Sequence, residues 1–446
     1  LKDSPEDHLV GRIEEDPIAQ ELPERATFIP LRHSDLRAKL VAEFAIEGDE
    51  LGEYRHFCGR LQAIFHVEHL SVLIHLEDLY DSLDPDSHLI DLDSIDAPHR
   101  TQLATKLMDR VSELLVSAHY KKLTHEELER AVEMGCQWGV GVQLEVDFDL
   151  FERLEVFARG YRTATASRRR WRNFFRLETI ELPEFQRLIL AFRIKSESEE
   201  EAKKRKGESS LDPKFVYLKT FKNIPETDLE ILLPGSTVRL TKLDRARILL
   251  PTLSGLAITI FKIFRGVLVL AFAFAWEEIL GWIVLIGACV GYIIKSVLSY
   301  FRTKTKYQFG LTKSLYLKNL DNNSSVIYRI LNEAEEQELC EAILAYTFLW
   351  KHQSVNADGM VEEKLDGLVE QFLLRLTELD VDFEVHDGLG KLERLGLAEK
   401  SDDGKWKVRE IHEAIQYLSQ NWNSLFESRA RAVVSGVPLE DDLFTG

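Results

Sequence analysis

Four cysteines in 446 residues, Cys58, Cys136, Cys289 and Cys340, lie far apart and form no CxxC pair. Such spacing implies neither a disulfide framework nor a zinc site, and it suits a reducing compartment. No catalytic motif of any specificity occurs and no cofactor signature stands out, so the sequence points away from an enzyme. Positive charge is also scarce. Lysine and arginine number 56 against 75 aspartates and glutamates, for a net charge of −19. Residues 1–100 carry 23 acidic against 9 basic side chains, and residues 321–446 carry 26 against 12. Surfaces of that kind exclude nucleic acid as a partner, because phosphate binding needs clustered cations. The chain opens on Leu1 and not on Met, so an original N-terminus is expected to precede it.

What the chain does have is one long apolar run, Arg247 to Arg302. Leu249–Ala275 and Ile279–Leu298 have the lengths of two membrane-spanning helices, joined by Trp276-Glu277-Glu278. The second span should insert unaided. The first has fifteen large apolar residues, worth about −5 to −9 kcal/mol. Lys262 and Arg265 take back roughly 5 to 7 kcal/mol, which leaves it dependent on its neighbour. A stripe of Thr252, Gly255, Thr259, Lys262 and Gly266 can face Gly287, Gly291, Lys295 and Ser299, with Gly287-x-x-x-Gly291 as a small-residue contact. Basic flanks (Arg239 to Arg247, Lys295 to Lys306) and the acidic turn place both termini on the cytoplasmic or organelle inner side. The expectation is a two-span protein of a bacterial or mitochondrial inner membrane, with the bilayer as a partner. The alternative is a buried helical hairpin.

The flanking regions read as α+β. Residues 1–141 form an acidic, mainly helical region. Residues 142–236 alternate in strand fashion ("RLEVFARGYR", "EFQRLILAFRIK", "KFVYLKTFK") and form an antiparallel meander around a charged linker, 196–210. Residues 237–306 hold the hairpin. Residues 307–446 give three helices, the third closing at Gly396, then strand, turn and strand, the order of a winged helix. Its third helix sets Glu384, Asp387 and Glu393 against Lys391 and Arg394, so a protein-contacting role is expected and DNA is not.

Five segments, "FIPLRHSDL", "HFCGRLQAIFHVEHL" leading to "LYDSLDPD", "YLKTFKNIPETDLEILLPG", "YQFGLTKSLYLKNLDNN" and "AEEQELCEAILAY", follow one another in an order that resembles the family of membrane proteins of unknown function that includes transmembrane protein 143. The resemblance implies a paired span and brings no reaction, ligand or catalytic residue. Ser324-Ser325 follow Asn323 where a glycine is expected.

Candidate sites are few. Glu53, His56, His66, Glu68 and His69 have helical metal-site spacing, but the second carboxylate–histidine set of a two-metal bundle is missing, and solvated polar faces explain them as well. "RGYRTATASRRRWRNFFR", with Arg168, Arg169, Arg170, Trp171 and Arg172, could rest on anionic headgroups or be a solvated hairpin loop. "NLDNN" reads as a polar turn entering a helix. The functional expectation is a membrane-anchored scaffold or interaction protein that meets a partner through its acidic C-terminal domain, with homo-oligomers open to it. The rivals are an oligomeric pore lined by Lys262 and Arg265, and a metal-dependent enzyme using the cluster at 53–69.

Overall fold

The computed structural model describes residues 25–87, 96–138, 142–145, 147–169, 177–196, 211–234, 237–240, 316–355, 358–420 and 422, with the isolated positions 291, 294 and 298. The chain is α+β with antiparallel sheets. Its main sheet runs in the order β1 (Lys121–Lys122), β3 (Phe151–Arg169), β4 (Leu177–Ile194), β5 (Tyr217–Pro225), β7 (Asn319–Asn322). Strands β3 and β4 pair along their whole length, about 60 Å at the rise of an extended chain, with one irregularity between Phe151 and Arg153. The "ETIEL" and "EFQRLILAFRIK" segments thus form one strand. Near the core its alternation is strict: Ile189 and Ala191 face one layer, Leu188, Leu190 and Phe192 the other. A separate pair joins β2 (Val142–Glu145) to β6 (Thr237–Leu240).

Helices cover both faces of the main sheet. One face packs on the end of α2 (Gly48–Tyr80), on α3 (Ala97–Ser117) and on the first half of a 30-residue helix, α6 (Ser324–Gln353). The other face packs on α4 (His125–Trp138) and the short helix α5 (Leu229–Leu232). The second half of α6 is apolar on most sides, and from Leu339 to Trp350 every residue is buried, Glu341 and Thr347 included. It runs into a core shared by α1 (His33–Glu43), the first half of α2 and the C-terminal elements.

Those C-terminal elements are β8 (Met360–Val361), α7 (Glu362–Thr377), α8 (Val385–Arg394), β9 (Ala398–Lys400), β10 (Lys405–Val408) and a helix over residues 411–420. The small sheet has the order β8–β10–β9, so helix, strand, helix, helix, strand, strand traces winged-helix connectivity. Helix α8 stops in a paired hydrogen-bond closure: Gly396 N–H donates to Glu393 O at 2.8 Å and Leu397 N–H to Leu392 O at 2.8 Å. Gly396 sits at φ +67°, where a Cβ would lie 2.4 Å from the Tyr417 ring.

Two expectations need correction. The first is membrane spanning, and with it the two-span topology and the inner-membrane location. Among the described residues no helix is long and apolar enough to cross a membrane. The long helices α2 and α6 carry charged side chains along much of their length, Glu341 deep in α6 among them, and their apolar surfaces are buried against protein. The segments 249–275 and 279–298, on which the expectation rested, fall outside the described residues except for Gly291, Ile294 and Leu298. The second concerns "NLDNN": its first four residues are not a turn but the edge strand β7, paired with β5. The core around α6 also crosses the boundary drawn at 307, because α1 and α2 pack directly on it.

Candidate functional site

Helix α6 carries a polar row through an apolar environment. Glu333, Gln337 and Glu341 recur every four residues and so share one face. Each is buried or nearly so, and each is answered from a different part of the chain.

Glu333 meets β3. Its Oε2 accepts from Arg159 Nη2 and from the Tyr120 hydroxyl, both at 2.6 Å. The Arg159 guanidinium lies between the rings of Tyr120, at 4.6 Å, and Phe28, at 5.1 Å, and also donates to Ala118 O at 3.0 Å. Gln337 meets the N-terminal segment: its Oε1 accepts from Ile29 N–H at 2.7 Å and its Nε2 donates to Ile29 O at 3.0 Å. One side-chain amide thereby satisfies both backbone groups of a buried residue.

Glu341 is the centre of the row and 2% exposed. His119 Nε2 hydrogen-bonds to its Oε1, and Lys391 Nζ on α8 donates to its Oε2 at 2.5 Å. A carboxylate can only accept, so the His119 proton sits on Nε2. The other ring nitrogen, Nδ1, faces Glu384 Oε1 at 3.8 Å. His119 holds a left-handed backbone, φ +58°, at the end of α3, a conformation that costs energy in a non-glycine residue. Burial pushes the His119 pKa down, but the Glu341 hydrogen bond and the charges of Glu341 and Glu384 outweigh it and leave the pKa raised. Burial likewise pushes the Glu341 carboxyl up, yet Lys391 and His119 hold it below the usual carboxylate range. Lys391 loses affinity for its proton by burial and regains more from Glu341 and Glu338. Each group is therefore shifted toward its charged form by its partners, against the effect of burial.

A parallel clamp lies one turn away. Arg394, also on α8, grips Glu68 of α2 through two bonds of 2.8 and 3.0 Å. His69 Nε2 stands 3.7 Å from Glu338 of α6, while its Nδ1–H donates to Phe65 O at 2.9 Å. His66 faces Glu335 at 3.2 Å and His33 faces Glu336 at 2.9 Å. Four histidines thus meet carboxylates on successive turns of one helix.

These contacts relocate the candidates at 53–69. Glu53 and His56 are exposed, with Arg60 Nε donating to His56 Nε2 at 3.0 Å. His66, Glu68 and His69 each turn to a different partner. Among the described residues no group of three or more His, Cys, Asp or Glu side chains stands where it could hold a metal ion. Asp321 pairs with Arg329. Gly255, Thr259, Lys262, Arg265, Gly266, Gly287 and Lys295 lie outside the described residues, as do Arg170, Trp171 and Arg172. Gly291 is described only as an isolated helical position. Arg168 and Arg169 are placed in β3 by backbone register alone, opposite Glu178 and Leu177.

The sequence reading missed the polar row. The signal available was the four-residue spacing of Glu333, Gln337 and Glu341, the last of them set between apolar Cys340 and Ala342 at the start of a long apolar run.

The row has a structural partner at the start of α6. Asn323 N–H donates to Leu218 O at 2.8 Å, and Asn323 Nδ2 donates to Asp86 Oδ2 at 2.6 Å. Val216 N–H donates to Leu83 O at 3.0 Å, and the Tyr80 hydroxyl donates to Val216 O at 3.0 Å. The "LYDSLDPD", "YLKTFKNIPETDLE" and "NLDNN" segments, far apart in sequence, thus close on one another here.

A family model described as a protein of unknown function, DUF3754, matches residues 185–325. The match establishes likeness to an uncharacterised family over less than half of the chain, from within β4 to the first turn of α6. No solved structure matches the chain.

Proposed function

We propose that this protein works as an interaction scaffold, with a winged-helix-like C-terminal module locked on the body so that an acidic face points outward. One observation carries the reading. Helix α8, which in winged-helix connectivity would read DNA, has both its cations engaged by carboxylates of the body, Lys391 by buried Glu341 and the more exposed Arg394 by buried Glu68. What the module leaves exposed is predominantly anionic: Glu363, Asp387, Glu393 and Asp402, with Asp380, Asp382, Glu384, Glu399, Asp403 and Glu410, outnumber the exposed Lys364, Arg375, Arg394, Lys400 and Lys407. A phosphate backbone would be repelled there, whereas a basic protein surface would be steered in. The buried acid–base pairs favour the same reading, since they are neutralised against one another. Kinship with the family that includes transmembrane protein 143 is part of this proposal, supported by the way its characteristic segments converge on α6, and it adds no activity.

The test is in-cell cross-linking of the full chain, with and without Glu363→Lys, Asp387→Lys and Glu393→Lys combined. The expected result is a discrete set of cross-linked partners on the C-terminal module, lost in the charge-reversed chain while its circular dichroism is unchanged. Identical cross-links from both chains, or salt-sensitive binding of duplex DNA by the unmodified protein, would overturn it.

A further inference from the structure

Between the edge of the main sheet and the start of α4 lies a cleft of about 520 Å³. Its floor is apolar: Leu123, Leu128, Phe148, Phe151 and Leu154. Lys122, Thr124 and His125 form its polar lip. The volume is within the range of ligand-binding clefts.

The lip is already satisfied from within. Lys122 Nζ donates to Glu155 at 2.6 Å, His125 Nε2 faces Glu129 at 3.1 Å, and Thr124 and Glu127 cap each other through bonds of 2.8 and 3.2 Å. The local balance is negative. Residues 121–129 and 147–155 hold seven carboxylates against Lys121, Lys122 and Arg153. Asp149, exposed beside Phe148, pairs with no cation among the described residues. An anionic ligand is therefore disfavoured, and an apolar group that brings a positive charge is favoured.

The sheet adds a second feature. β1 is its terminal strand, only two residues long, and its outer edge has no strand partner among the described residues. Lys122 belongs to that strand and also lines the cleft. An extended chain laid along β1 could form main-chain hydrogen bonds while dropping a side chain into the apolar floor, the usual division of labour in strand addition.

We propose that this cleft docks a short extended segment of a partner protein, carrying a bulky apolar side chain next to lysine or arginine. The proposal rests on the interaction reading above and specifies the partner's chemistry. It concerns a face distinct from the acidic face of the C-terminal module, so the two can fail separately.

The experiment pans a random 12-residue peptide display library against the full chain, then measures binding of the selected peptides by fluorescence anisotropy. Selected sequences should place Leu, Phe or Trp beside Lys or Arg. Glu129→Lys with Asp149→Lys, both at exposed positions, should weaken binding about tenfold or more, a loss of roughly 1.4 kcal/mol. Leu154→Arg, which fills the floor, should abolish it. Acidic selected sequences, no selection at all, or affinities unchanged in the charge-reversed chain would overturn the proposal. Binding of the apolar dye ANS with equal affinity in both chains, without peptide selection, would assign the cleft to small apolar molecules instead. If no peptide is selected while the in-cell cross-links persist, the cleft proposal falls and the scaffold reading stands.

Discussion

Lys391→Met gives the sharpest test of how α8 is held. The substitution keeps the aliphatic stem and removes the ammonium that donates to Glu341 at 2.5 Å. Glu341, 2% exposed, then keeps only His119 as a charged neighbour in direct contact. Breaking a buried pair by removing one partner costs about 3 to 5 kcal/mol, because the remaining charge is neither hydrated nor neutralised. Against a typical total of about 5 to 15 kcal/mol, that is a large share.

The loss should depend on pH, and its sign follows from His119. Its folded pKa is raised above the ordinary value of 6.5 by Glu341 and Glu384, against the effect of burial. The stabilisation from its positive charge is therefore fully present below pH 6.5 and disappears as pH rises through the higher folded pKa. In the Met variant His119 is the only remaining counter-charge touching Glu341, so the variant should be hurt more at pH 8.5 than at pH 6. Urea unfolding followed by the fluorescence of buried Trp350 and Trp406 would measure it at both pH values. Lys391→Met with Glu341→Leu should recover part of the loss, since an apolar pair replaces the buried ion pair at little cost while His119 Nε2 is left without its acceptor. A loss below about 1 kcal/mol, or one equal at both pH values, would refute the assignment of Glu341 as the charged centre of the junction.

Three further outcomes are expected. Asp366, whose Oδ1 is buried without a hydrogen-bond partner among the described residues, is pushed up to about 6 by burial and by Glu370 and Asp382, so its charge is a liability above that pH and none below both its pKa values. Asp366→Asn should stabilise the chain by about 1 kcal/mol at pH 7.5, after allowance for its partial exposure, and by nothing at pH 3.5, as thermal melts at the two pH values would reveal. Burial pushes the Cys58 thiol up to about 12 and Cys340 well above its ordinary range, so neither should react with DTNB in the folded protein, while both should after urea unfolding. Gly396→Ala forces a Cβ into the Tyr417 ring at a positive φ and should cost at least 1 to 2 kcal/mol in urea unfolding, roughly, whereas Gly367→Ala, with open space around it, should be neutral or stabilising.

The α+β class and the antiparallel sheet were legible because they rest on local periodicity. Residues 151–169 and 177–194 carry strand-like alternation, and one hydrogen-bonded ladder joins them. The stop at Gly396 was legible for an equally local reason: a helix that ends in a left-handed turn needs a residue without a side chain there. Partnership was not legible. Glu341 reads in sequence as one more acid on an acidic helix, and only the arrival of His119 and Lys391 from positions 222 and 50 residues away makes it a buried centre. Asn319–Asn322 has the composition of a turn, yet pairing with β5 makes it a strand, because an edge position asks little of intrinsic propensity. The spanning expectation came from hydropathy over residues 249–298, and among the described residues no helix meets its requirement. Hydropathy counts apolar side chains but cannot tell which surface will cover them. Helices α2 and α6 bury theirs against each other, and that choice of neighbour is made by the tertiary structure alone.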